Sequence, residues 1–162
     1  MRAFDAFACG DVKPRQFWTG EATIRAAGEA DLHHVMVQAL RFYGERIQTQ
    51  EKMNAAAKWV EGAIKDPNWL VLIGPDAVGI CHVYWRYGIE CRASADILCS
   101  DPTSAAGPFT AIKMVRMMVA WAKEKGAEGY FRLASDTEAD FGPVARRLGG
   151  HVTQDRLYDI PL

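Results

Sequence analysis

Apolar residues along this chain repeat with two periods. Leu32, Val35, Met36, Ala39, Leu40 and Tyr43 recur at three- and four-residue steps and predict a helix over 31–43, closed by Gly44. Met53, Ala56, Ala57, Val60 and Ile64 predict a second over 49–65, stopped at Asp66-Pro67. A long amphipathic stretch, 109–125, predicts the central helix, with Gly126 just past its end. A short one is expected near 138–148, delayed or kinked by Gly142-Pro143.

Between the helices lie apolar runs of strand length. The run 21–26 has Ile24 as its anchor, and 69–73 is dense enough for a strand covered on both faces. Over 78–87, His82, Tyr84 and Arg86 alternate with Val83, Trp85 and Tyr87, the two-residue period of a strand. These aromatics suit a substrate wall, and equally cross-strand packing. Gly88 turns the chain into a strand over 93–100, as an antiparallel hairpin. Further strands are expected at 130–134 and, as one last element, at 152–160. The order is β-α-α-β-β-β-α-β-α-β, with no internal repeat, low-complexity segment or linker that would divide it.

Length and charge narrow the functions. A chain of 162 residues forms one domain with a full core. Its formal net charge of −1 leaves no electrostatic footprint for nucleic acid or an acidic membrane. No apolar run approaches the ~18 residues of a membrane span. Cys9, Cys81, Cys91 and Cys99 include no Cys-x-x-Cys pair, and three lie in strand-like runs; reduced core thiols and a cytoplasmic setting are expected. Residues 1–20 carry Phe4, Phe7, Phe17 and Trp18 between Gly10, Pro14 and Gly20. They read either as a tail or as an extended arm that docks on a protein partner or a second subunit. His33 and His34 are adjacent on a helix, point about 100° apart and read as solvated rather than as a metal pair.

The chemistry concentrates where the strand 93–100 turns sharply into the central helix. A helix start leaves N–H groups unpaired at the positive end of the macrodipole, which favours an anion such as a pyrophosphate. Asp96 lies in the strand just before, a carboxylate placed to act as a general base or to serve as a hydrogen-bonded strand residue. Glu90 sits nearer the hairpin turn. Lys113, Arg116 and Lys123 on the helix are spaced as an ordinary solvated face.

Ile24-Arg25-Ala26-Ala27 followed by Ala30-Asp31-Leu32, Leu98–Pro102 followed by the long helix, and Val144-Ala145-Arg146-Arg147-Leu148-Gly149-Gly150 together resemble the GNAT superfamily of N-acetyltransferases over about 22–162. The resemblance implies an α+β fold on a mixed, mostly antiparallel sheet flanked by about four helices. It also implies acetyl-CoA in a cleft between two splayed central strands with Lys113 and Arg116 as candidate partners of its phosphates, direct attack of an amine on the thioester, and no metal. It places the donor against Leu98, Ser100, Ser104, Ala105, Ala106, Gly107, Phe109 and Thr110. It makes Asp96 the candidate base and Tyr158 the candidate acid, since the closing-helix position usual for that tyrosine is Ala145. The family's loop, Arg/Gln-x-x-Gly-x-Gly/Ala, is altered here. With Gly107 as the first glycine, Ser104 replaces the basic or amide residue, Pro108 has no N–H, and Phe109 replaces the second small residue. Weak or absent acetyl-CoA binding is therefore expected. The resemblance extends to small GNAT-like proteins of bacteriophage particles, which implies an alternative: an inactive structural or interaction subunit, in a virion or a host cytoplasm.

Overall fold

The computed structural model describes residues 23–44, 46–101, 107–134, 140–154 and 157–162. The arm over 1–20 lies outside them. Strand β1 (Arg25–Ala26) leads through a 3₁₀ turn (Glu29–Asp31) into α1 (Leu32–Tyr43) and α2 (Gln50–Lys65). Then come β2 (Trp69–Gly74), β3 (Ala77–Arg86), β4 (Glu90–Ser100), α3 (Gly107–Glu124), β5 (Tyr130–Ala134), α4 (Gly142–Arg147), β6 (His151–Gln154) and β7 (Leu157–Pro161). One seven-stranded sheet results, in the order β1-β2-β3-β4-β5-β7-β6. Every pairing is antiparallel except β4 with β5.

Local chemistry sets the ends of these elements. The Thr49 hydroxyl accepts the Lys52 N–H at 3.2 Å and caps α2. Tyr87 (φ 54°) and Gly88 (φ 73°) make the turn between β3 and β4, so β3 stops at Arg86 rather than carrying Tyr87. That tight turn lets β4 begin at Glu90, earlier than its apolar pattern suggests. Helix α4 starts at Gly142, whose N–H donates to Asp140 Oδ1 at 2.7 Å, with Pro143 in the first turn where a missing N–H costs nothing. The expected last strand, 152–160, is two strands. Gln154 and Leu157 are cross-strand partners and the chain reverses between them. In the sequence, Val152 and the Leu157-Tyr158-Ile160 group look like one run.

The sheet has two covered faces. On one, α3 and α4 pack on Cys81, Val83, Ala93, Ala95, Phe131, Leu133, Tyr158 and Ile160. At Gly79 the approach is so close that a Cβ would stand 2.3 Å from Met118 Cε. On the other face α1 and α2 cover Val71, Ile73, Val78, Ile80 and Cys99. Cys81, Cys91 and Cys99 are buried. His33 is exposed, but His34 is half-buried and burial pushes its pKa down, so it is not the solvated histidine its neighbour is. Among the described residues no helix is long and apolar enough to cross a membrane.

Candidate active site

The two parallel strands pair over only three residues: Ala93 with Phe131, Ser94 with Arg132, and Ala95 with Leu133. Beyond that point β4 continues to Ser100 while β5 ends at Ala134. From Ile97 to Ser100, β4 pairs on its β3 side alone among the described residues.

A bulge marks the same place. Ile80 opposes Ile97 and Cys81 opposes Ala95, so Asp96 has no partner of its own. The extra residue aims Asp96 along the α1–α2 face at the residue across from Ser94, which is His82. His82 Nδ1 and Asp96 Oδ2 are 2.5 Å apart. Nδ1 faces the carboxylate, so in the tautomer that donates this bond Nε2 is left to accept another. Trp69 stacks on the imidazole at 4.5 Å between centroids and Tyr84 flanks it at 5.3 Å. Trp59 in turn meets Trp69 edge-on at 5.3 Å. The ring is thus fixed in orientation, and its side chain is 21% exposed.

His82 belongs to a polar row running straight across the sheet. Trp69, His82, Ser94, Arg132, Asp159 and His151 are successive cross-strand partners. Arg132 donates from Nε and Nη2 to the two carboxylate oxygens of Asp159 at 2.8 and 2.9 Å. Beside this row a cavity of about 260 Å³ is lined by Tyr84, Arg86, Arg92, Ala93, Tyr130 and Arg132.

The opposite face carries the helix start and the candidate acid. Gly107 and Phe109 open α3, where a helix's first N–H groups have no partner within the helix itself, and Pro108 brings none. Phe109 is 61% exposed. The Thr110 side chain is buried, its methyl within 3.3 Å of a Cβ built on Gly74, so only its backbone could face a phosphate. Leu98 is likewise turned into the core, while Ser100 is half-buried at the end of β4. Ser104, Ala105 and Ala106 lie outside the described residues. The approach to them is tethered: Arg41 Nη2 donates to Asp101 Oδ2 at 2.9 Å, and the Asp101 N–H donates to the Asp76 carbonyl at 2.9 Å.

Tyr158 is buried opposite Leu133 on this second face, and its O–H donates to Asp140 Oδ1 at 3.0 Å. That bond and the Gly142 N–H hold the Asp140 carboxyl below its usual range, the backbone bond being the larger effect. Leu133 pairs with Ala95, so Tyr158 and the His82–Asp96 pair stand on opposite faces, either side of the point where β4 and β5 part. Lys113 and Arg116 are exposed on α3. Among the described residues, no group of three or more His, Cys, Asp or Glu could hold a metal ion.

The fold matches solved structures. A transcriptional regulator from Bacillus halodurans C-125 superposes with a TM-score of 0.66 at 18% identity, over 82% of this chain and 94% of that one. A GCN5-related N-acetyltransferase from Ralstonia eutropha JMP134 gives 0.60 at 16% identity, over 82% and 94%. A chain of the NatC complex bound to Gag peptide and CoA gives 0.62 at 9% identity, over 86% and 98%. No family model matches the sequence, and no curated protein does. The chain has the fold of GNAT structures: α+β, with a mixed, mostly antiparallel sheet of seven strands and four α-helices among the described residues.

Proposed function

We propose that this chain is an N-acyltransferase that moves an acetyl group from acetyl-CoA to an amine, with His82 as the base and Asp96 as the residue that orients it. The observation that carries the reading is the His82–Asp96 pair at the β4 bulge, beside the parting of β4 and β5. A pair of this kind has a general base within reach of an amine arriving on the α1–α2 face. The imidazole Nε2 takes the amine proton as the nitrogen attacks the thioester carbonyl. The C–S bond then breaks, and the thiolate leaves toward the α3–α4 face, where the Tyr158 hydroxyl stands. The fold neighbours support the donor: several are named as acetyltransferases, and one structure contains CoA.

The donor site fits in part. The open edge of β4 and the N–H groups of Gly107 and Phe109 suit the pantetheine and phosphates, while Pro108 withholds one donor. Weak donor binding follows. Pro108 and the exposed ring of Phe109 favour a second reading, an interaction subunit without catalysis in the manner of GNAT-like bacteriophage components, docked through 1–20. Incubation with millimolar acetyl-CoA and a panel of amines, read by mass spectrometry, separates the two. An N-acetyl product that fails to form with Asp96→Asn supports the transferase; no product with any amine leaves the interaction subunit.

A further inference from the structure

The cavity beside His82 has a charge pattern that an amine alone does not explain. We infer that it receives the acidic end of a bifunctional acceptor, an amine that also carries a carboxylate or a phosphate. This deepens the transferase reading and rests on it for the role of the amine.

Three guanidiniums line the cavity, and two are held from behind. Arg132 gives Nε and Nη2 to Asp159, which leaves the N–H groups of Nη1 over. Arg92 gives Nε and Nη2 to Glu90 Oε2 at 3.1 and 2.7 Å and Nη1 to the Glu128 carbonyl at 3.2 Å. These bonds orient both groups in advance, which lowers the ordering cost of binding. Arg86 lies over the Tyr87 ring at 5.1 Å and forms no salt bridge among the described residues. Against Glu90 and Asp159, the three arginines leave one positive charge in excess. Tyr84 and Tyr130 supply flat walls for the carbon chain between the ends of a ligand.

The other end is negative. Asp96 and the accepting Nε2 of His82 suit an ammonium group before it loses its proton. Ser94 stands between His82 and Arg132 in the cross-strand row, so the two ends are separated by two strand spacings, about 10 Å of backbone. A chain of several bonds between nitrogen and anion spans that distance, and Tyr84, in contact with the His82 ring, joins the two parts of the surface.

Calorimetric titration without acetyl-CoA, at fixed ionic strength, tests this with 6-aminohexanoate, 6-aminohexyl phosphate and hexylamine. The expected result is that one acidic amine binds at least ~10-fold more tightly than hexylamine, the scale of one charge-assisted hydrogen bond. Whichever anion binds better identifies the source. Arg86→Gln, at an exposed turn position where folding is not at stake, should remove most of that preference, and Arg92→Gln should reduce it. Equal binding of hexylamine, no binding of any probe, or an unchanged preference in Arg86→Gln overturns the proposal. The two readings fail separately. Preferential binding without acetyl transfer keeps this site and removes the transferase. Transfer at equal rates to hexylamine and 6-aminohexanoate keeps the transferase and removes this site.

Discussion

Arg132→Gln tests whether the polar row is a built feature of the sheet. The Asp159 side chain is 7% exposed and accepts two charge-assisted bonds from an arginine that is 50% exposed. Removing the arginine strands a carboxylate in a nearly dry position. Breaking a fully buried pair costs about 3–5 kcal/mol. Here the outer half of the pair is in water, so we expect about 2 kcal/mol, or roughly 4–8 °C in melting temperature for a chain of this size. The converse change should cost less. Asp159→Asn leaves an arginine that water can solvate and an amide oxygen that still accepts one bond, for about 1 kcal/mol. Combining Arg132→Gln with Asp159→Asn should recover part of the first loss, because the stranded charge is gone. Urea unfolding of the three variants and the parent gives the full cycle. A loss below ~0.5 kcal/mol for Arg132→Gln, or a larger loss for Asp159→Asn, would refute the asymmetry on which the reasoning rests.

Three further outcomes are expected. Millimolar acetyl-CoA should raise the melting temperature of the parent by less than about 2 °C, and by more than about 5 °C when Pro108-Phe109 is replaced by Gly-Gly; a large shift in the parent would mean the missing donor is unimportant. Gly79→Ala should cost about 1–3 kcal/mol by pushing buried Met118 off β3, read by chemical unfolding, and a neutral effect would mean α3 yields freely. Asp31 accepts both Arg25 guanidinium nitrogens at 2.8 Å, which, ahead of the Gly28 N–H, holds its carboxyl at about 2, below the ordinary 3.8. A lowered folded value stabilises above the ordinary one and is lost as pH falls, so the gap in melting temperature between the parent and Asp31→Asn should close between about pH 4 and pH 2. With Arg25 half-exposed, that gap is worth no more than ~1 kcal/mol.

The helices and the central strands were legible because their periodicity is produced by burial, which the structure shows on the same residues: Val35, Met36, Ala57 and Val60 under α1 and α2, and Met114, Val115 and Met118 under α3. The split of the last strand was not legible, since β6 and β7 share one apolar pattern and only their pairing separates them. Asp96 stood out as a carboxylate beside the helix turn. His82 did not, although it alternates with Cys81 and Val83, because strand alternation gives the face of a side chain and not its partner. A bulge has no composition of its own, and without it Asp96 and His82 are merely two polar residues on neighbouring strands. Arg132 and Asp159 are 27 positions apart and meet only through the register of β5 and β7.

The central claim is that His82, aimed by Asp96, takes a proton from the attacking amine. The most direct measurement is the rate of CoA release from acetyl-CoA, at the highest attainable donor concentration and with an amine the parent acetylates, for the parent and His82→Asn. A general base contributes about 10²–10⁴-fold, so the variant should be slower by that range with acetyl-CoA binding unchanged. A parent that releases CoA no faster than solvent does, or a His82→Asn variant within about twofold of the parent, would contradict the account.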